Sequence, residues 1–284
     1  MPHSARWSNG KEVFELSFWG SLLNVLDTGM TTPTMYGWFH LLWFALSIAA
    51  GVLLCRWKPN PDERFMRKLL LIVSLVVIVL EVYKQINYTF TYDGQTITAD
   101  YQWYAFPFQF CSTPMYIGLL AGLTRGKWHD ALCTYLGTFS LFAGLCVMFY
   151  PATVFISTIG INIQTMICHG SMVTIGIYLL YTGYVKPAHK TILKAIPVFV
   201  ALVLLAAVMN EIAHASGLLE TEEFNMFFIS PYCAPSLPVY SLVQAVVPFP
   251  WCLFIYVAAF SLASYLILLA AIGLRRLLKR STRA

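Results

Sequence analysis

The chain has 284 residues, 58% of them apolar and 11% charged, and a mean hydropathy of +0.68. A soluble domain carries roughly a quarter charged residues, so this composition excludes a large water-soluble core and indicates an integral membrane protein. The net charge of +5 does not call for nucleic acid, because the basic residues lie between apolar runs, where they mark one membrane face.

In chain order, Phe14, Phe18, Leu22 and Leu26 recur four apart within 11–27, which predicts an amphipathic helix lying on the membrane surface. The start, Met1-Pro-His-Ser-Ala-Arg-Trp, has no apolar run ahead of a cleavage site, so no cleavable leader is expected. Seven apolar segments follow, near 36–55, 66–88, 106–124, 129–150, 163–184, 191–214 and 250–274, each taken to cross a bilayer that needs about 20 residues. The third is the shortest, and Pro107 and Pro114 also fit a re-entrant piece.

Fifteen of the eighteen Lys and Arg fall on connections 1–2, 3–4 and 5–6 and on the C-terminal tail. This predicts an N-terminus outside and a C-terminus in the cytoplasm. The expected fold is an all-α membrane protein with seven transmembrane helices, one polytopic domain over 1–284. Between spans, Thr89–Thr98 alternates about Asp93-Gly94, a hairpin signal with a two-residue turn. Residues 215–249 form the longest connection, with Glu220, Glu222, Glu223, Asn225 and several prolines. A loop of that length is more often functional than idle.

Polar residues are costly inside a membrane, so their depth is informative. His40 falls in span 1, and Glu81, Lys84 and Asn87 in span 2. Gln109 and Cys111 open span 3, Gln164 and His169 lie early in span 5, and Asn210, Glu211 and His214 close span 6. All sit in the outer half, which predicts one polar cavity. Cys111 reads either as a small buried hydrophobe or as a thiol activated at a helix N-terminus opened by Pro107. Cys168 and Cys252 have apolar neighbours and read as core. His169 is either a hydrogen-bonded core histidine or a general base. Glu81 pairs with Lys84 one turn on or orients an imidazole, and His40 packs or orients substrate. No C-x-x-C or paired-His spacing occurs among the seven cysteines and six histidines, so neither a disulfide framework nor a metal or other cofactor is expected.

The stretch Phe106-Pro-Phe-Gln-Phe-Cys111 resembles the Leu-Pro-Leu-His-x-Cys motif of the YwaF-like bacterial integral membrane proteins. Asn225-Met-Phe-Phe-Ile-Ser-Pro231, with Pro248-Phe-Pro-Trp251, resembles that family's Asn-Tyr-x-Tyr-Leu and Gly-Pro-x-Pro-Trp pattern. His40, Glu81 and His169 fall where the family carries the same residue types. Gln109 stands in place of the motif's His, and Val247 in place of Gly. The family is similar to the animal transmembrane protein 164 acyltransferases, which move fatty acyl groups between phospholipids through a cysteine acyl-enzyme. The resemblance implies Cys111 as nucleophile, His169 as base and a bacterial cytoplasmic membrane location.

Together these readings predict a thiol acyltransferase or lipid ester hydrolase acting on phospholipids or lysophospholipids. Glu81, or else Glu211, would orient His169. Gln109, Ser112 or Asn225 would donate to the oxyanion, and His40, Asn210, Glu211 and His214 would line the substrate site. A solute transporter or a ligand sensor would use the same polar groups. The near absence of polar residues in the inner half argues against alternating access, and no lysine lies in 250–274 to anchor a retinal.

Overall fold

The computed structural model describes residues 18–217, 224–233 and 237–281. Helix α1 covers 18–26. Then follow α2 (Trp38–Trp57), α3 (Glu63–Asn87), α4 (Thr113–Leu123), α5 (Gly126–Tyr135), α6 (Leu141–Phe149), α7 (Ile159–Tyr181), α8 (Ile192–Ala215), α9 (Pro238–Val246) and α10 (Trp251–Ser281). The expected interfacial helix is present over its C-terminal part, while 11–17 lie outside the described residues, as do Glu220, Glu222 and Glu223.

Among the described residues, five helices are long and apolar enough to cross a membrane: Trp38–Trp57, Gly126–Phe149, Ile159–Tyr181, His189–Ala215 and Trp251–Leu277. They fall on five of the seven expected segments. α3 coincides with the expected 66–88 but carries Glu63, Arg64, Arg67, Lys68, Glu81 and Lys84 along its 25 residues, and it is not among the five. The segment expected at 106–124 is helical only from Thr113. At about 1.5 Å per residue, its 11 residues reach little more than half of a ~30 Å hydrocarbon layer. Pro114, not Pro107, opens this helix, because a proline is tolerated in the first turn where its missing N–H has no partner anyway. Upstream, a short 3-10 turn at Trp103–Ala105 leads into extended backbone at Phe106.

The centre of the bundle is α7 and the α5–α6 rod. Each is 72% buried along its most apolar stretch, against 22% for α2 and α10. α5 and α6 form one continuous rod through a π-helical turn, Leu136–Ser140, which packs on α7 and α10. Small residues let the backbones approach. A Cβ on Gly144 would stand 2.8 Å from Met172 Cβ and 3.0 Å from the His169 carbonyl.

At one end of the bundle, Arg67 Nε donates to the Gly122 carbonyl (2.9 Å), Tyr178 Oη to the Lys58 carbonyl (2.7 Å), and Lys194 pairs with Asp130. Buried His129 bridges the Ala121 carbonyl and Tyr184 Oη there. The expected basic connections thus share one end. At the other end, Tyr83 Oη donates to the Leu26 carbonyl (2.7 Å), and Met30 N and Ile159 N exchange backbone bonds with Ser157 O and Thr28 O. These contacts fix α1 on top of α3 and α7. Phe18, Trp19, Leu22 and Val25 of α1 remain exposed.

The hairpin around Asp93-Gly94 forms, with strands Phe90–Tyr92 and Ile97–Ala99. Its turn is longer than the expected two residues: Tyr92 pairs with Ile97, leaving four between the strands. The Asp93 carboxylate explains this. Its Oδ1 accepts from Gln95 N (2.8 Å) and Thr96 N (2.7 Å), and Oδ2 from Thr96 Oγ1 (3.0 Å), which closes the turn on a side chain.

The Thr96 and Gln95 amides, with the Thr96 hydroxyl, hold the Asp93 carboxyl below its ordinary value. A lowered folded pKa places the stabilisation above the unfolded value and removes it as pH falls through the folded one. The Gln95 and Thr96 amide resonances will titrate together, with a midpoint below the usual Asp range. In the core, Gly144→Leu will cost about 1–3 kcal/mol, read as a lower thermal midpoint in detergent.

Candidate functional site

The expected single ring of polar residues is divided by the structure into separate groups. Side-chain geometry, not depth, decides which residue belongs to which.

The first group surrounds Glu81, buried at 6% exposure on α3. A carboxylate at that position must have partners. Oε1 accepts from Lys84 Nζ (2.8 Å) and Gln85 Nε2 (2.7 Å), and Oε2 from Gln164 Nε2 of α7 (3.2 Å). The Lys84 pairing and the bridge to another helix therefore coexist. Gln85 also donates to the Ala105 carbonyl (3.0 Å) and accepts from Tyr101 Oη (2.6 Å), tying the irregular segment before α4 to α3. Neither Gln85 nor Tyr101 was expected in the site. The four-residue spacing from Glu81 to Gln85 was the available signal.

On α7, Gln164 passes the network to the Thr165 hydroxyl (3.3 Å). One turn later, His169 Nδ1 lies 2.8 Å from the Thr165 carbonyl. A carbonyl only accepts, so Nδ1 carries the proton and Nε2 is left as the basic nitrogen. That Nε2 is fully buried and has no hydrogen-bond partner among the described residues. Glu81 does not touch the imidazole. It reaches it only through Gln164 and the turn of helix between Thr165 and His169.

Cys111 sits one residue before the Ser112 N-cap of α4 and is half-buried. Glu81, Lys84 and the Ser112 side chain all lie within electrostatic reach of its thiol, and Lys84 within reach of His169. Cys168 Sγ stands 4.0 Å from the Cys111 carbonyl. Cys168 also lines a core cavity of about 30 Å³ with Ser74, Ser140, Ser171 and Met115, room enough for a water. The π-helical turn supplies Ser140 to this cavity, and such turns recur at functional sites. A second pocket, about 290 Å³, runs between α3 and α4 with Glu81 and Gln85 on its wall and Val82, Phe90, Pro107 and Tyr116 around them. Val82 and Phe90 are exposed on the outer surface of the bundle.

The second group holds a buried chain segment. Residues Met226–Phe228 form a single 3-10 turn, and Met226, Phe227 and the Ile229 that follows it are inaccessible. Asn210 of α8 clamps it from both sides: Nδ2 donates to the Met226 carbonyl (3.1 Å) and Oδ1 accepts from Met226 N (2.8 Å). Gln109 does the same with the Asn225 carbonyl (3.0 Å) and Phe227 N (3.1 Å). Asn225 Oδ1 accepts from Ser230 N (2.9 Å), and Tyr256 Oη donates to the Phe227 carbonyl (3.1 Å). Phe227 and Phe228 take positive φ, a strained conformation for aromatic residues that these clamps hold. Gln109 fits this role as an amide because it must donate and accept at once. The expected substrate residues Gln109, Asn210 and Asn225 are therefore brought to a plug rather than to Glu81.

The remaining expected residues stand apart. His40 is 1% exposed. Its Nδ1 accepts from Tyr36 N (2.9 Å), so Nε2 carries the proton and donates to the Met148 carbonyl (2.8 Å). Both nitrogens are consumed, Nδ1 by the turn just before α2 and Nε2 in joining α2 to α6. Glu211 and His214 lie at the surface, where Tyr232 donates to Glu211 (2.9 Å) and stacks on the His214 ring.

Asn210→Ala leaves the Met226 N–H unpaired in the core and the Met226 carbonyl with only the longer bond from Ile229 N (3.4 Å). An orphaned buried group costs roughly 1–3 kcal/mol, so the variant will melt earlier and become cleavable by protease near 224–230. His214→Ala, a surface change, will do neither.

The TMEM164 family model matches residues 35–268, so the chain belongs to the TMEM164 family. No curated protein and no solved structure matches it.

Proposed function

From membership of the TMEM164 family and the chemistry around His169, we propose that this membrane protein transfers or hydrolyses fatty acyl groups of phospholipids through a thioester on Cys111. The observation that carries the reading is the buried, unpartnered Nε2 of His169, held as a base by the Thr165 carbonyl. An acceptor nitrogen left open in an apolar interior is costly for packing alone and is suited to taking a proton.

The thiol proton of Cys111 passes to His169 Nε2 as sulfur bonds to the ester carbonyl carbon. The ester C–O bond then breaks, and the imidazolium returns the proton to the departing alkoxide oxygen, giving the lysolipid hydroxyl. A second lysolipid hydroxyl, or water, repeats the sequence in reverse and frees the thiol. The pocket between α3 and α4 supports lateral entry of an acyl chain, since its apolar walls end at the Glu81 group. Glu81 acts as a positioning residue by anchoring Gln164, and so the first turns of α7. Ser112, beside the thiol, is the candidate oxyanion donor favoured over Gln109, whose amide is occupied at the plug, and over Asn225, which belongs to the plug itself.

The placement in the membrane that accompanies this reading has seven crossings, with α3 complete and α4 paired with the irregular chain before it. The basic end faces the cytoplasm in a plasma membrane of bacterial type. Support comes from the fifteen basic residues on one set of connections and from the apolar exposed face of α1.

Incubated with mixed phospholipids, purified protein will gain an acyl adduct at Cys111 by intact mass spectrometry. Cys111→Ala will abolish turnover, and His169→Ala will lower it by about 10²–10⁴-fold. Wild-type turnover in either variant overturns the mechanism, and an adduct on Cys168 instead moves the nucleophile. Cysteines introduced one at a time at Gly94 and at Lys127 will label from opposite sides of sealed vesicles. Labelling of both from one side contradicts the crossing scheme.

A further inference from the structure

Another cleft lies away from the groups above. It occupies about 620 Å³ between α6, α7 and α10 at the basic end of the bundle, within the roughly 300–1,000 Å³ span of ligand sites. Leu141, Leu145, Ile177, Leu180, Ile267 and Ala271 form its walls. Its rim is polar, made by Asn60, Thr182 and Arg275. Tyr181 and Leu274 at the rim are more than half exposed, so the cleft opens sideways along the helices.

Arg275 is placed where the apolar run of α10 ends. Among the described residues it forms no ion pair, the two present being Lys84–Glu81 and Lys194–Asp130. Its guanidinium is nonetheless held, packed against the backbone of Gly183. That glycine has a φ of +75°, and any Cβ there would run into the arginine head. An uncompensated, positioned cation at the mouth of an apolar cleft between membrane helices matches one ligand chemistry. Apolar walls take acyl chains, and a guanidinium takes a phosphate diester bidentately. Basic pockets of this kind at helix ends recognise anionic head groups.

We propose that this cleft binds an anionic phospholipid, its phosphate on Arg275 beside Thr182 and Asn60 and one acyl chain along α6 and α10. The site is distinct from the acyl-transfer reading and does not depend on it. His169 and Tyr181 are twelve residues apart on α7, about 18 Å along the helix.

The test uses the full chain, purified in detergent, delipidated and titrated with phosphatidylglycerol, with bound lipid counted by native mass spectrometry. Phosphatidylcholine and inorganic phosphate serve as comparison probes. Wild-type protein will hold phosphatidylglycerol in preference to phosphatidylcholine, and millimolar inorganic phosphate will not displace it. Arg275→Gln will weaken phosphatidylglycerol about tenfold and leave phosphatidylcholine unchanged, while Arg275→Lys will retain most of the preference. Ala271→Phe, which fills the cleft without touching the charge, will weaken both lipids, and it decides the matter if Arg275→Gln is poorly folded. Unchanged phosphatidylglycerol binding in either the Arg275→Gln or the Ala271→Phe protein overturns the proposal. Displacement by inorganic phosphate overturns it in favour of a free-anion site.

Discussion

In an apolar interior, every backbone N–H and carbonyl must find a partner, because no water is there to supply one. Helices meet this constraint within themselves, and the irregular segments of this protein do not. Two such segments enter the bundle, the chain before α4 and the 224–230 turn. They are made tolerable by amides that donate and accept together. Gln109 stands on the first segment and binds the second, Asn210 binds the second from α8, and Gln85 binds the first from α3. Removing Asn210 or Gln109 strands a buried backbone N–H, of Met226 or of Phe227, which is why these few side chains fix the position of everything between them. Cys111 is part of what they fix, since it lies between Gln109 and the first turn of α4.

Burial of Glu81 imposes a second demand of the same kind. Its partners come from its own helix, Lys84 and Gln85, and from Gln164 on α7. The carboxylate thereby joins α3 to α7 in the region where α7 presents His169. The histidine is not fully satisfied, with one nitrogen committed to the Thr165 carbonyl and the other open. His40 and His129 show the contrast. Each is buried and each has both ring nitrogens hydrogen-bonded, with at least one of them joining separate elements. Three histidines of similar burial thus divide into two fasteners and one open base.

Much of the fold was legible in the chain because apolar length is a local property. The five long apolar helices lie where the runs at 36–55, 129–150, 163–184, 191–214 and 250–274 predict them. The hairpin at Asp93-Gly94 was legible for the same reason, although the carboxylate of Asp93 lengthened its turn. The third segment was not, because its apolar run continues through residues that two prolines and a 3-10 turn keep out of helical conformation. The helix at Pro238–Val246 and the buried turn at Met226–Phe228 were also missed. Both lie in a connection whose prolines read as loop. The polar site was legible as a list of residues at one depth, but not as a partition.

By itself, the sequence determined that the chain belongs in a membrane, where its long helices run, which end of the bundle is basic and which polar residues are carried into the apolar region. These follow from residue type and spacing along one chain. Only the tertiary structure decided that Gln109, Asn210 and Asn225 hold a plug, that His40 is a fastener and that His169 keeps a free nitrogen. Depth along a helix axis can be counted from sequence. The direction in which a side chain points depends on helix rotation and on which neighbour packs there, and hydrogen-bond partners are settled only when that packing exists.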